Sequence, residues 1–298
     1  MSTLNVCDVV GHHPDNRRIF PGSFCNSFLV GIEIELENVV QRPEMQLWQW
    51  KNDHSLRNNG AELVVPHPVG GLDLEDALDE LAAAFLKNPQ WVANDRCSVH
   101  CHLDFRSSTL QDVVSFYVGW LLFESSMYTI SGKSRYSNIY CPGANQYHAL
   151  VRSAHKLLKA TTRDQVVRVL DSWPRYSGVN LAALARYGSV EIRTHRGTAS
   201  VTEITEWLQV LDRLKMWTTG KHPSEIVQDA AEQGATAFAH TVFGPLTDKI
   251  ICDNYNTFFS NSYLNACDVL HWDTINIDEP EITPVEAMAD YIISQLGE

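Results

Sequence analysis

The sequence has little positive charge and no long apolar run, and each lack excludes a class of protein. Lysine and arginine number 23 against 36 aspartates and glutamates, which gives a formal net charge of −13. A broad surface for the phosphates of nucleic acid needs the opposite balance, so we expect no nucleic-acid partner. Asp112 and Glu124 interrupt the longest apolar segment, which predicts a buried core helix. We therefore also expect no membrane partner.

Cysteine is too sparse and too irregular for a disulfide framework. The seven cysteines have no repeated spacing, and their number is odd. In a chain of 298 residues this pattern favours reduced thiols. The stretch Met1–Val6 lacks a basic start followed by an apolar run, so no signal peptide is predicted. We therefore expect a cytoplasmic protein.

One short segment carries side chains suited to metal or proton chemistry. From Cys97 to Phe105 the side chains alternate between apolar and polar. This period predicts a β-strand with one buried face and one polar face. His100 and His102 both lie on the polar face. Cys101 lies on the buried face, where a structural thiol is a better interpretation than a nucleophile.

Two further predicted strands share this design. Glu33 and Glu35 lie on one face of the first, and Glu191 and Arg193 lie on one face of the last. Each pair alone is compatible with the solvated face of an antiparallel sheet. Together they need a reason, because glutamate is a poor strand former and neighbouring like charges repel. A divalent cation supplies one, since carboxylates suit Mg²⁺ and Mn²⁺ and imidazole is an acceptable ligand for Mn²⁺.

The remaining pattern predicts an α+β fold, with helices between and after the strands. The predicted helices are Asp73–Lys87, Leu110–Ile130, Gln146–Ala160, Arg163–Ser172 and Thr202–Trp217. A short strand, Ala61–Pro66, carries Glu62. We divide the chain into an irregular N-terminal segment (1–27), a catalytic domain (28–245) and a C-terminal appendage (246–298). The appendage ends in a helix that is predicted to start at Thr283.

The motifs on these strands resemble, in order, those of the glutamine synthetase superfamily. They are Gly31–Glu35, Ser98–Asp104 and Ser189–Arg193. More narrowly, the chain resembles the amidoligases, which are carboxylate–amine ligases of that superfamily. Three further sets of residues resemble elements of that family: Lys51–Arg57 with Glu62, Arg135 with Asn138, and Arg175 with Asn180.

The resemblance implies a fold and a set of roles. The fold is a glutamine synthetase-like curved antiparallel β-sheet with an active-site face, backed by helices. The implied metal ligands are Glu33, Glu35, Glu62, His100 and Glu191. The residues implied to bind the nucleotide are His102, Arg193 and Asn138. The arginines implied to act on the transferred phosphoryl group or on the substrate carboxylate are Arg193, Arg135 and Arg175.

The resemblance also implies a reaction and its participants. The cofactors are ATP and Mg²⁺ or Mn²⁺. A carboxylate is activated as an acyl phosphate, and an amine then attacks it to form an amide. The partners are small-molecule or peptide carboxylate and amine substrates, and a glutaminase that supplies ammonia.

Two other interpretations of the sequence stay open. A metal-dependent hydrolase could also use a strand with two histidines, although the later histidines show no repeated β/α arrangement. A non-catalytic structural or binding protein could retain the scaffold, although every expected acidic and histidine position is present. Equilibrium binding of ATP together with a divalent cation separates the ligase from both.

Overall fold

An antiparallel sheet of six strands lies at the centre of the described chain. The computed structural model describes residues 4–14, 17, 19–23, 27–136 and 138–274. The strands are β1 (Val30–Leu36), β2 (Gln49–Lys51), β3 (Ala61–Val64), β4 (Ser98–Asp104), β5 (Val179–Asn180) and β6 (Ser189–Arg196). Their spatial order is β2-β3-β1-β4-β6-β5, which makes β4 the direct neighbour of both β1 and β6.

The register of these strands decides which side chains meet on the polar face. The facing pairs are Glu33 with His100, Glu35 with Glu62, and His102 with Glu191. Side chains alternate across a strand, and paired residues of neighbouring strands point to the same side of the sheet. The antiparallel pairing therefore gathers on one face residues that are far apart in the sequence.

β6 carries a bulge beside this polar face. Cys101 pairs with Ile192 and Val99 pairs with His195, so three steps along β6 oppose two steps along β4. An extra residue of this kind bends a strand and re-aims the side chains near it. Arg193 is one of the residues inside the bulge.

Helices pack on the apolar face of the sheet, where Ile32, Ile34, Cys101 and Ile192 are almost completely buried. The helices are α1 (Val6–Val10), α2 (Leu72–Lys87), α3 (Leu110–Ser131), α4 (Ala149–Lys159), α5 (Arg163–Ser172), α6 (Ala183–Tyr187), α7 (Val201–Thr218), α8 (Pro223–Gln233), α9 (Ala235–Phe243), α10 (Thr247–Ile250) and α11 (Tyr255–His271). Burying so many apolar side chains between sheet and helices is the main source of folding free energy.

The central core helix is α3. Thr109 and Asp112 form a capping box at its start. Gly119 allows α7 to approach closely, because a Cβ atom at this position would lie 2.6 Å from the Thr218 side chain. By length and composition alone α3 could cross a membrane, but 89% of its apolar window is buried inside the protein. Such burial is typical of the core helix that the sequence predicts.

Helices near both ends of the described chain pack against this core. Phe123 of α3 contacts Phe238, Phe243 and Phe259, with ring centroids 5.4, 4.8 and 6.0 Å away. The backbone N–H of Val6 in α1 donates to the carbonyl of Ser108, just before α3, at 2.9 Å. The helices after residue 220 therefore extend the hydrophobic core of the sheet domain.

The sequence predictions agree with the structure best at the strands of the polar face. The predicted class, α+β with an antiparallel sheet backed by helices, is confirmed. The short strands β2 and β5 and the helices α8 to α11 were not predicted. The segment 1–27, predicted to be irregular, contains α1. The terminal helix predicted at Thr283 lies outside the described residues.

Candidate functional site

Glu33 lies at the centre of a cluster of charged side chains on the polar face. Its Oε2 atom is 3.2 Å from Nδ1 of His100, and its Oε1 atom is 3.4 Å from Nε2 of His102. Both imidazoles come from β4, where residues two apart point the same way. One carboxylate on β1 is therefore shared by two histidines on the neighbouring strand.

Glu191 closes the cluster from the β6 side. Its Oε1 atom lies 3.8 Å from Nδ1 of His100 and 3.9 Å from Nε2 of His102, and it accepts a short hydrogen bond from Nη1 of Arg193. Its Oε2 atom accepts a hydrogen bond of 2.6 Å from Nδ2 of Asn180 on β5. β5 therefore contributes an amide that orients this carboxylate.

Ser98 links Glu35 to His100 and fixes the proton arrangement between them. Its backbone N–H and its hydroxyl both donate to Oε2 of Glu35, at 2.7 and 2.6 Å. Since the hydroxyl proton is used in this way, Oγ accepts from Nε2 of His100 at 2.8 Å. Nδ1 of the same ring lies 3.2 Å from Oε2 of Glu33. Glu35, Ser98, His100 and Glu33 therefore form one continuous chain of polar contacts across β1 and β4.

The side chains of the polar face form three overlapping groups that could each hold a metal ion. Within each group the potential ligand atoms all lie within 4.8 Å of one another. The groups are Glu33 with His102 and Glu191, Glu33 with Glu62 and His100, and Glu35 with Asp53 and Glu62. All five predicted metal ligands belong to them, and Asp53 joins as an acid that the sequence analysis did not single out.

The electrostatics of the cluster reflect an excess of acids. Burial, together with the charges of Glu33, Glu35 and Asp53, raises the pKa of Glu62 to about 8. Burial also opposes ionisation of Glu33, but its contacts with the two histidines outweigh burial and hold the pKa of Glu33 far below its usual range. Glu62 therefore stays protonated near neutral pH. A bound cation would allow it to ionise.

The pKa values of His102 and Glu191 are shifted by the same set of charges. Burial lowers the pKa of His102, but contact with Glu33 and the charge of Glu191 outweigh burial and raise it. Burial raises the pKa of Glu191, but the charges of Arg193 and His102 outweigh burial and lower it. The cluster as described is held together by attraction between anionic carboxylates and cationic neighbours.

His102 also borders a cavity of about 180 Å³. Its Nδ1 atom is 3.1 Å from Oγ of Ser189, and its buried Nε2 atom has no well-aligned hydrogen bond. The ring of Tyr187 lies edge-on to the imidazole, with centroids 5.6 Å apart. Further lining residues are Lys51, Pro66, Pro68, Asp104 and Arg106. The cavity thus combines apolar walls with donors at one end, as ligand pockets commonly do.

The three predicted arginines have different surroundings. Arg193 is largely buried beside Glu191, and its Nε atom has no hydrogen-bond partner among the described residues. Arg135 is buried and donates to backbone carbonyls in the bulge of β6, from Nη2 to Arg193 O at 2.7 Å and from Nε to Thr194 O at 3.1 Å. Arg175 is exposed at the edge of the site. Arg135 therefore supports the strand that carries Arg193.

Asn138 is engaged in the turn to which it belongs. Its Oδ1 atom accepts a hydrogen bond of 2.8 Å from the backbone N–H of Tyr140. The structure thus uses this side chain to shape the loop after α3. Sequence reasoning missed the supporting residues Ser98 and Ser189, because a serine on a strand carries no signal of its own.

Glu37 shares the polar pattern of β1 but lies apart from the cluster. Its carboxylate accepts hydrogen bonds from the backbone N–H of Arg57 and from the side chains of Asn58, Asn94 and Arg96. The hydrogen bond from Arg96 is the main cause that lowers the pKa of Glu37, to about 2. This glutamate holds two loops together and is already fully paired.

The fold and this geometry define an α+β protein with carboxylates, imidazoles and an arginine clustered on the polar face of an antiparallel sheet. A family model described as "putative amidoligase enzyme" matches residues 44–215. The match spans more than half of the chain, so the protein belongs to this amidoligase family, as its motifs predict. No curated protein matches the chain. Family membership supports an enzyme, and specifically a ligase.

Proposed function

We propose that this protein is an ATP-dependent carboxylate–amine ligase on a glutamine synthetase-like sheet. The reaction would transfer the γ-phosphoryl group of ATP to a carboxylate oxygen, releasing ADP and giving an acyl phosphate. An amine nitrogen would then attack the acyl carbon, so that a C–N bond forms, the C–O bond to phosphate breaks, and the amine gives up a proton. Phosphorylation is needed because a free carboxylate is a poor electrophile.

The observation that carries this proposal is the convergence of carboxylates and imidazoles on Glu33. Oε2 of Glu33 and Nδ1 of His100 lie 3.2 Å apart, with Glu62 and Glu191 close by. Such a set suits Mg²⁺ or Mn²⁺, which prefer carboxylate oxygens and tolerate imidazole. The residues that would hold the ions are Glu33, Glu35, Glu62, His100 and Glu191. When bound, the ions would neutralise the negative charge of a nucleotide next to a carboxylate substrate.

The nucleotide would bind on the His102 side of the cluster. The Nε2 atom of His102, which makes no well-aligned hydrogen bond with the described residues, would contact phosphate oxygens, and the cavity beside it would take the nucleoside. Arg193, whose Nε atom has no hydrogen-bond partner in the described part of the chain, would contact the transferred phosphoryl group or the substrate carboxylate.

The other predicted contributors act at greater distance in this proposal. Arg135 would keep Arg193 in place through the backbone of β6, and Asn138 would shape the loop beside it. Arg175 would attract the anionic substrate from the edge of the site. A cytoplasmic location and a partner glutaminase that supplies ammonia complete the proposal.

Equilibrium titration with Mn²⁺, and then with ATP in the presence of Mg²⁺, tests this function directly. We expect wild-type protein to bind both and to release ADP when carboxylate and amine pairs are screened. Glu33→Gln should lose metal binding while its circular dichroism spectrum shows that the fold is retained. The matched control is Glu206→Gln, which removes an exposed carboxylate paired with Lys249 on the helical side.

The alternatives give different results in the same experiment. Metal binding without nucleotide binding would instead favour a metal-dependent hydrolase. Folded protein that binds neither metal nor nucleotide would refute the ligase and favour a structural or binding protein.

A further inference from the structure

Two half-exposed tyrosines lie beside Arg193, on the side of the site that the proposed nucleotide does not use. Tyr140 is 52% exposed and Tyr176 is 37% exposed, and their rings meet edge to face with centroids 5.6 Å apart. Tyr176 lies close to two guanidinium groups, 5.9 Å from that of Arg193 and 5.6 Å from that of Arg175. We call Tyr140, Arg175 and Tyr176 the tyrosine rim.

The backbone of the tyrosine rim is attached to the strand that carries Arg193. The N–H of Gly178 donates to the carbonyl of Pro142 at 2.9 Å, which joins the loop of Tyr176 to the loop of Tyr140. The N–H of Arg193 donates to the carbonyl of Gly178 at 2.9 Å. Both rings are thus held at a defined position relative to the Arg193 side chain.

Side chains of α3 also hold the same loops in place. The hydroxyl of Tyr128 in α3 donates to the carbonyl of Cys141, and its ring lies edge-on to Tyr136 at 5.7 Å. Gly178 allows this packing, because a Cβ atom there would lie 2.3 Å from the Tyr128 hydroxyl. The loop of Tyr140 is further held by Glu124, whose carboxylate accepts from two backbone N–H groups at 2.9 Å.

Exposed rings on a fixed backbone are suited to binding. Tyrosine offers a large contact area at a small cost in conformational entropy, and a pre-organised loop loses little further entropy when a ligand arrives. A solvated aromatic pair beside the arginine of a proposed catalytic cluster therefore calls for an explanation beyond packing. A carboxylate bound at Arg193 would therefore lie close to the ring of Tyr176, whose centroid is 5.9 Å from the guanidinium.

We propose that the tyrosine rim selects acyl substrates whose carboxylate is attached to a planar or apolar body. The rings of Tyr140 and Tyr176 pack against that body, while Arg193 and Arg175 face its anionic end. Small polar carboxylates carry the same negative charge, but they have no apolar group that would pack against Tyr140 and Tyr176. This inference rests on the proposed function for the role of Arg193, but the binding preference itself does not require turnover.

Phenylacetate and acetate are suitable probes, since they carry the same charge on bodies of different size. Their binding to Mn²⁺-loaded full-length protein is measured by titration of one probe in competition with the other. Their KM and kcat values are measured by ADP release with ammonia as the amine. The variants are Tyr140→Ala, Tyr176→Ala, the double variant and Tyr176→Phe. The matched control is Phe258→Ala, which removes a ring of similar exposure, 36%, on α11.

We expect wild-type protein to prefer phenylacetate, and each alanine variant to reduce that preference two- to tenfold, roughly the worth of one aromatic pair. Tyr176→Phe should retain the preference, because it keeps the ring. The change should appear in KM and in the binding constant, with kcat at saturation little altered.

Equal binding of the two probes by wild-type protein would overturn the inference, as would a preference that survives in the double variant. Failure of the proposed function looks different, because ADP release and nucleotide binding would then be absent in every variant. The titration with phenylacetate and acetate still decides the role of the tyrosine rim in that case.

Discussion

Two carboxylates four residues apart on the same polar pattern, Glu33 and Glu37, have opposite surroundings. Glu37 is 1% exposed and accepts five hydrogen bonds, two of them from the guanidinium of Arg96. Glu33 shares two imidazoles with other acids and lies within reach of Glu62 and Glu191. Around Glu37 several donors satisfy one acid, whereas around Glu33 several acids share the same two imidazoles.

This difference separates a structural carboxylate from a candidate ligand. A buried acid that is fully hydrogen-bonded stabilises the fold by holding its donors in place. A cluster of acids with too few donors is costly by itself, and a cation relieves the cost. Charge alone therefore does not identify the site, and the balance of donors and acceptors does.

Removal of the central carboxylate should give the largest effect. Glu33→Ala should lower ATP-dependent turnover by more than about 100-fold, because the shared ligand of two metal groups is lost. Steady-state ADP release measures this effect, and circular dichroism checks that the fold is retained. Wild-type turnover in this variant would show that Glu33 is not at the reacting centre.

Metal addition should sharpen the contrast between the two glutamates. Mn²⁺ at 100 times its dissociation constant should stabilise wild-type protein by about 2.7 kcal/mol, because the proposed metal site exists only in the folded state. The same stabilisation is expected for Glu37→Gln and should be absent in Glu33→Gln. Urea unfolding with and without Mn²⁺ measures it. Equal stabilisation of both variants would contradict the separation of roles.

Loss of the structural carboxylate should reduce stability without metal. Glu37→Ala leaves the amides of Asn58 and Asn94 without their acceptor, and we expect a loss of about 2 kcal/mol in the free energy of unfolding. Urea denaturation in the presence of EDTA is the appropriate measurement. Glu44→Ala, at an exposed position of the same region, is the control and should change stability little.

Per pH unit, the smallest effect should be a difference in acid stability. The pKa of Glu37 is lowered from 4.5 to about 2, so its stabilising contribution is complete above pH 4.5 and is lost as the pH falls towards 2. Between pH 4.5 and pH 2 the free energy of unfolding of wild-type protein should fall by up to about 1.4 kcal/mol per pH unit more than that of Glu37→Gln. Unfolding titrations at several pH values measure the difference. Parallel pH profiles of the two proteins would contradict it.

Much of the polar face could be predicted because strand period is a local signal. The alternation around His100, and that of the strands of Glu33 and Glu191, fixed which side chains share a face. The separation of Glu37 from Glu33 was not predictable, since it depends on Arg96 and on loops that approach from elsewhere. Short strands such as β2 and β5 lack enough residues to show a period, and they gain their pairing from neighbours.

The arginines illustrate the same limit. Arg135 and Arg193 are equivalent as charges in the sequence, yet one supports a backbone bulge and the other faces the cluster. The tyrosine rim was also not predicted, because Tyr140 and Tyr176 belong to different loops that come together in the fold, through their rings and through Pro142 and Gly178. Residues that support or extend a site through loops leave little trace in hydrophobic patterns.

The three candidate metal groups overlap, and this overlap has a thermodynamic consequence. Glu33 belongs to two of the groups and Glu62 belongs to two, so neighbouring ions would have to share a carboxylate. Sharing couples the sites, because the first ion changes both the charge and the free lone pairs that are left for the second. Cation binding would therefore follow a coupled isotherm, in which the affinity for the second ion depends on where the first one is bound.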